Sequence, residues 1–230
     1  MKARGLAASL LLALALLPGL AGAAGPELVL AQAPDRSHDQ QALQRGARTF
    51  IGYCLGCHPA SLMRFNRLAD LGFTDEQISK EFLLGARRIG DPMTSTMRRD
   101  DAKKWFGIAP PDLSVIARAR TSRLGPGADW LYTYLRGFYR DPTRPSGWNN
   151  VVFQNVAMHH VLWEFQGRLS PQEYDGMVAD LVGYLVYMSE PTAQSRRHIG
   201  WYVLGGALVL LLFAFAVKPP PRKSRRREHV

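Results

Sequence analysis

Hydrophobic residues fall along this chain in three regimes. Continuous apolar runs lie near the two ends, at residues 6–17 and 199–217. Between them, apolar positions recur at helical spacing in bursts separated by Gly and Pro. Ala42, Gly46, Phe50 and Tyr53 share one face of a helix over "QQALQRGARTFIGY", with Asp39 as its N-cap. Thr74 caps "DEQISKEFLLGA", which turns Ile78 and Phe82 inward and carries Gly85 near its end. "RDDAKKWFG" reads as a short helix, and "ADWLYTYLRGFY" as another that ends before Asp141-Pro142. Ser170-Pro171-Gln172-Glu173 is a capping-box start with Pro in the first turn. From there Tyr174, Met177, Leu181, Tyr184 and Met188 form an apolar stripe up to Pro191. Residues 140–170 are irregular, with an Asn-Asn pair, and no run of alternating strands or internal repeat occurs. The pattern predicts a mainly α domain with long loops.

The terminal runs change the picture from a soluble domain to an exported, anchored one. Residues 1–24 combine a short basic start, an apolar stretch and small residues around Ala21-Gly22-Ala23, with Ala31-Gln32-Ala33 a second cleavage candidate. That is the build of a secretory signal peptide, too short in its apolar part to span a bilayer. Residues 199–217 hold nineteen residues without a charge, about 28 Å as a helix, and so predict a transmembrane helix. Trp201 and Tyr202 suit one interface, and the basic tail 218–230 suits the cytoplasm. Residues 25–198 are then a periplasmic domain held against a bacterial inner membrane by a single pass.

The formal charge of +10 sits mostly at the ends. Six of the 29 basic residues lie in 218–230 and two in the first 23, which leaves 21 against 18 acidic residues between. A basic face for nucleic acid is therefore not expected. The tail reads as a topology anchor.

Both cysteines fall in "YCLGCHPA", residues 53–60. Zinc needs four ligands, and Cys54, Cys57 and His58 supply at most three, with no second pair elsewhere. A redox Cys-x-x-Cys of the thioredoxin kind belongs beside a βαβ pattern, which is missing. Cys-x-x-Cys-His in an exported chain fits covalent haem c: both thiols add across the two vinyl groups, and His58 presents imidazole to iron. The second axial ligand must come from elsewhere. Met63 is tied to the same side as His58. Met177 and Met188 belong to the apolar stripe, and Met93 and Met97 lie in a polar, wet loop. Met158, in "NNVVFQNVAMHHVLWEFQG", has the apolar surroundings a thioether ligand needs, with His159 and His160 as rivals.

"GYCLGCHPASLMRFNRL", "APPDLSVIARART", "GADWLYTYLRGFYRD", "NVAMHHVLWEFQG" and "DLVGYLVYMSEP" together resemble the cytochrome c1 family, the haem subunits of the cytochrome bc1 complex, or ubiquinol–cytochrome c reductase. The resemblance runs in order through nearly the whole exported part and the anchor. It implies a c-type cytochrome domain with one covalent haem c and iron ligated by His58 and Met158. It implies further that Pro111, in Pro110-Pro111-Asp112-Leu113, belongs to the haem pocket and that Arg120 pairs with a haem propionate. Where the family commonly has Pro after its distal methionine, this chain has His159. Trp130 and Tyr134 read as core aromatics.

The implied role is one-electron transfer, from the Rieske iron–sulfur protein to a cytochrome c, beside cytochrome b in a dimeric complex. Such a chain is not catalytic alone. Two alternatives are a membrane-anchored cytochrome serving another oxidase or dehydrogenase, and a haem-based ligand-binding module with an open sixth site.

Overall fold

The computed structural model describes residues 28–83 and 88–217. The expected signal peptide, Gly85 and the basic tail lie outside those residues. The first helix among the described residues, α1 (Gln40–Tyr53), begins where Asp39 accepts a hydrogen bond from the Ala42 N–H at 2.9 Å. The last helix of the domain, α7 (Pro171–Ser189), starts at the capping box of Ser170 and Glu173 and buries Tyr174, Leu181, Tyr184 and Met188. These two helices cross at Gly46 and form the frame of the core. A Cβ on Gly46 would sit 2.0 Å from the Asp180 carbonyl oxygen and 2.9 Å from Tyr184 Cβ, so only glycine permits this approach. One turn on, Phe50 meets Tyr184 with ring centroids 5.5 Å apart.

Asp180 fastens three pieces of chain at that crossing. Its buried carboxylate lies 2.7 Å from Arg45 on α1 and 3.1 Å from Arg36 in the preceding segment. The same segment is pinned farther up, where Thr133 Oγ1 and Asp129 Oδ1 accept from the Ala31 and Ala33 N–H groups, both at 2.8 Å.

Between α1 and α7 the chain makes short elements. Strand β1 (Ala60–Arg64) pairs antiparallel with β2 (Pro92–Met93), with an irregular register between Ala60 and Arg64. A 3₁₀ segment covers Phe65–Leu71. The helix expected after Thr74 is α-helical only over α2 (Asp75–Gln77) and continues as a wider π turn, Ile78–Phe82. Thr74 caps its start as read, and the Gln77 side chain, accepting from the Thr74 N–H, completes a capping box. The wider turn still delivers Ile78 and Phe82 to the core, with Phe82 edge-on to Phe73 at 5.1 Å. Next come α3 (Arg99–Phe106), α4 (Ile116–Ala119) and α5 (Gly127–Arg136).

The sequence reading carries α5 on to Tyr139; the helix stops at Arg136. Phe138–Arg140 instead forms β3 and pairs with β4 (Trp148–Asn150), Phe138 opposite Asn150. A two-stranded hairpin is thus a feature the helical pattern hid. A short α6 (Trp163–Arg168) leads into α7. Finally α8 (Ala193–Val217) leaves the domain with its apolar side chains exposed. Its apolar span, Ser195–Val217, is the one stretch among the described residues long and apolar enough to cross a membrane, about 35 Å at the helical rise.

Candidate functional site

α1 runs directly into the cysteine motif. The Cys54 N–H bonds to Phe50 O at 2.8 Å, and the His58 N–H bonds back to Cys54 O at 2.8 Å. The motif is thus one further turn, fixed to a helix that Gly46 and Phe50 hold against α7. Cys54 and Cys57 are free thiols, not joined to one another. Burial pushes the Cys54 thiol up to about 12, with Cys57 adding to it, and burial also raises Cys57. Both thiols are therefore protonated at neutral pH, the opposite of the lowered pKa that a redox or nucleophilic cysteine needs.

The Pro-Pro-Asp-Leu segment is sewn along the residues after the motif. His58 Nδ1 lies 2.9 Å from the Pro111 carbonyl oxygen. A carbonyl only accepts, so Nδ1 carries the proton and the Nε2 lone pair is left bare. The Leu113 N–H reaches Pro59 O at 2.8 Å, and Asp112 accepts from the Ser61 and Ser114 N–H groups at 3.0 and 2.8 Å. Burial lowers the His58 pKa, against the Pro111 bond that raises it, and keeps the ring neutral. A neutral imidazole with one nitrogen anchored and the other free is the arrangement of a metal-ligating histidine.

The cysteine motif, His58 and Pro111 face a cavity of about 580 Å³. All six residues singled out from sequence line it: Cys54, Cys57, His58, Pro111, Arg120 and Met158. Leu113, Ile116, Leu131, Leu181 and Leu185 supply apolar wall. Its size falls within the usual range for ligand sites. Of the described methionines only Met158 lines the cavity. Met93, read as part of a wet loop, is fully buried against the core, with the Tyr184 hydroxyl 3.7 Å from its sulfur. That reading is corrected: the loop is polar on one side only, because β2 turns Met93 inward.

The Met158 loop is organised by the Asn pair. Asn150 Nδ2 donates to Tyr134 O at 2.7 Å, while Asn150 Oδ1 accepts from the Val152 N–H at 2.9 Å. Asn149 Oδ1 accepts from the Asn155 N–H at 2.9 Å. Asn155 takes a left-handed φ of 60°, a conformation asparagine tolerates better than most residues. The two asparagines were visible in the sequence, but nothing there assigned them to shaping this loop.

The two rival histidines part company. His160 is 2% exposed and does not line the cavity. Its ring stacks on Phe138 at 4.7 Å and bonds to Gln166 at 2.8 Å. His159 does line the cavity and lies edge-on to Phe106 at 5.5 Å.

Arg120 closes α4 as its C-cap, and its guanidinium lies 4.3 Å over the Trp130 ring. No carboxylate among the described residues is within ion-pair distance of it. Trp130 stacks on Tyr134 at 4.9 Å and 12°, and the Tyr134 hydroxyl lies 3.4 Å from Met158 Sδ. Burial raises the Tyr134 phenol to about 12, with Arg120 pulling it back. Trp130 and Tyr134, read as core aromatics, do pack against the buried core, and both also form cavity wall. Their spacing of four residues was the available signal, since it puts both rings on one face of α5.

The donor set fits a covalently held haem: two thiols, a bare imidazole nitrogen, a thioether and a guanidinium with no carboxylate partner among the described residues face one apolar cavity. Residues 31–223 match the profile described as the Cytochrome C1 family. The chain is 45% identical over 225 residues to a Nitrosomonas europaea protein named ammonia monooxygenase gamma subunit, covering 90% of this chain and 91% of that one. It is 43% identical over 208 residues to cytochrome c1 of Allochromatium vinosum, covering 78% and 83%. Against cytochrome c1 of Rhodospirillum rubrum the identity is 28% over 225 residues, covering 79% and 80%.

Proposed function

The chain belongs to the cytochrome c1 family, and from that premise we propose how its residues carry its electron. It is the haem c subunit of the quinol–cytochrome c oxidoreductase, a one-electron carrier that works with cytochrome b and the Rieske iron–sulfur protein. Haem c supplies a reversible one-electron site at its iron. In our reading Cys54 and Cys57 would hold it as thioethers, and His58 and Met158 would ligate its iron.

The observation that carries this reading is the convergence of these four side chains on one cavity, with His58 Nδ1 already committed to Pro111. Each residue then has a defined task. Pro111 fixes the tautomer and the ring plane of His58. Met158 offers a soft sulfur, which favours the ferrous state and raises the potential relative to a second imidazole. The leucines and Ile116 give the cavity an apolar, low-dielectric wall, which strengthens charge effects beside it. Arg120 is placed to compensate a propionate, since no carboxylate among the described residues pairs with it.

The chain is anchored by its apolar C-terminal helix. We place residues 25–198 in the periplasm, after removal of signal residues 1–24, with 199–217 crossing a bacterial inner membrane and 218–230 in the cytoplasm. We also propose a dimeric complex and a cytochrome c as acceptor.

Double replacement Cys54→Ala plus Cys57→Ala tests the attachment: haem staining on a denaturing gel should disappear. The ferric parent should show the Met–iron charge-transfer band, and Met158→His should lose it. A parent without that band sinks the ligand assignment. The likeness to a protein named for ammonia monooxygenase favours one second reading, a c1-type cytochrome serving a different oxidoreductase. Detergent isolation separates the two: co-purification with cytochrome b and a Rieske protein is required by the first reading and absent under the second.

A further inference from the structure

We propose that Tyr134 is a positioning residue for the Met158 sulfur, and that its hydroxyl restrains the sulfur's electron donation and so raises the reduction potential of the site. This rests on the reading of Met158 as an axial ligand. The hydroxyl lies 3.4 Å from Met158 Sδ. A thioether carries no proton, so the phenol is the donor. Sulfur has two lone pairs, one available to iron and one to this O–H. A hydrogen bond on the second withdraws density from the first. Ferric iron depends on that density more than ferrous iron does, so the bond favours the ferrous state. The positive end of the O–H dipole points at the sulfur and acts in the same direction.

The hydroxyl is not free to wander. Trp130 stacks on the Tyr134 ring at 4.9 Å, and Phe138 meets it edge-on at 5.2 Å. Arg120 lies 4.3 Å over Trp130, so a guanidinium, two stacked rings and the sulfur follow one another along the cavity wall. The backbone is tied as well. Asn150 bonds to Tyr134 O and to the loop that leads to Met158, which links the donor and acceptor ends. Ring, backbone and sulfur loop are therefore held as one unit, as a tuning hydrogen bond demands.

Tyr134→Phe in the full-length, haem-loaded protein removes only the hydroxyl and keeps both ring contacts. Its potential should fall, with the one-electron equilibrium moving about threefold or more, roughly 28 mV at 59 mV per tenfold change. The Met–iron charge-transfer band should persist but shift. An unchanged potential and band would overturn the proposal and leave Tyr134 a packing residue. Absence of the band in the parent would instead strike the ligand assignment beneath it. If the variant does not retain haem, the ferrous parent supplies a second test by NMR. A slowly exchanging Tyr134 hydroxyl proton should show a cross-relaxation peak to the Met158 ε-methyl, and its absence rules the contact out.

Discussion

Gly46→Ala puts one methyl group where α1 and α7 touch. That carbon would lie 2.0 Å from the Asp180 carbonyl oxygen, whereas ordinary contact begins near 3.4 Å, so about 1.4 Å must be found. The obstructing atoms are backbone, and no rotamer change relieves them. The helices must separate or shear locally. Phe50, Ala47, Leu181 and Tyr184 lie beside the crossing, all buried, and a gap of roughly 0.5–1 Å forfeits a quarter to a half of a dispersion contact. Asp180 also holds Arg36 and Arg45, so its displacement strains that ion-pair cluster. Overpacking of this kind costs about 1–3 kcal/mol, and more where backbone must move. Alanine returns about 1 kcal/mol through better helix propensity. We expect a net loss of about 2–3 kcal/mol, a fall in Tm of roughly 4–12 °C for a chain of this size. Thermal unfolding of the detergent-solubilised protein, followed by far-UV circular dichroism, measures it. The variant should also bind haem less completely, because α1 delivers Cys54, Cys57 and His58. A midpoint equal to or above the parent's would refute the reasoning.

Two further outcomes follow from the site. Burial raises the Asp112 carboxyl, but hydrogen bonds from Ser114 and Ser61 outweigh that and hold it below the usual carboxylate range. A depressed folded pKa contributes stability above the unfolded value near 4 and loses it as pH falls through the folded value. Asp112→Asn should therefore cost stability at pH 7, by less than about 1 kcal/mol because the group is exposed, and the gap should narrow as pH falls below the unfolded value in urea titrations. Arg120→Gln should lower the reduction potential, because removing a cation from the cavity favours ferric iron, and should cost about 0.5–1 kcal/mol through the lost Trp130 contact. Arg120→Lys should retain most of the potential; equal potentials for Arg120→Gln and the parent would exclude the charge role.

Much of the frame was legible in the chain because it is written in local chemistry. The Asp39 and Thr74 caps, the Ser170 capping box and the stripe through Tyr184 state where helices begin and which face is buried. Cys54, Cys57 and His58 are legible as a candidate site for the same reason: their proposed role depends on spacing within one turn. The apolar run at 199–217 needs only its length. What the chain could not state is anything that depends on which distant segments meet. The hairpin of β3 and β4 ends α5 early because Phe138–Arg140 finds partners in Trp148–Asn150, a pairing no local pattern announces. Met93 looks wet in sequence and is dry in the fold, since the strand pairing decides which way it faces. His160 and His159 are neighbours in sequence, yet one is closed into an aromatic slot and the other faces the cavity. Above all, Pro111 O beside His58 Nδ1 and the Tyr134 hydroxyl beside Met158 Sδ join residues 53 and 24 positions apart. Hydrogen bonds between side chains depend on tenths of an ångström, and only the packed core fixes distances that finely.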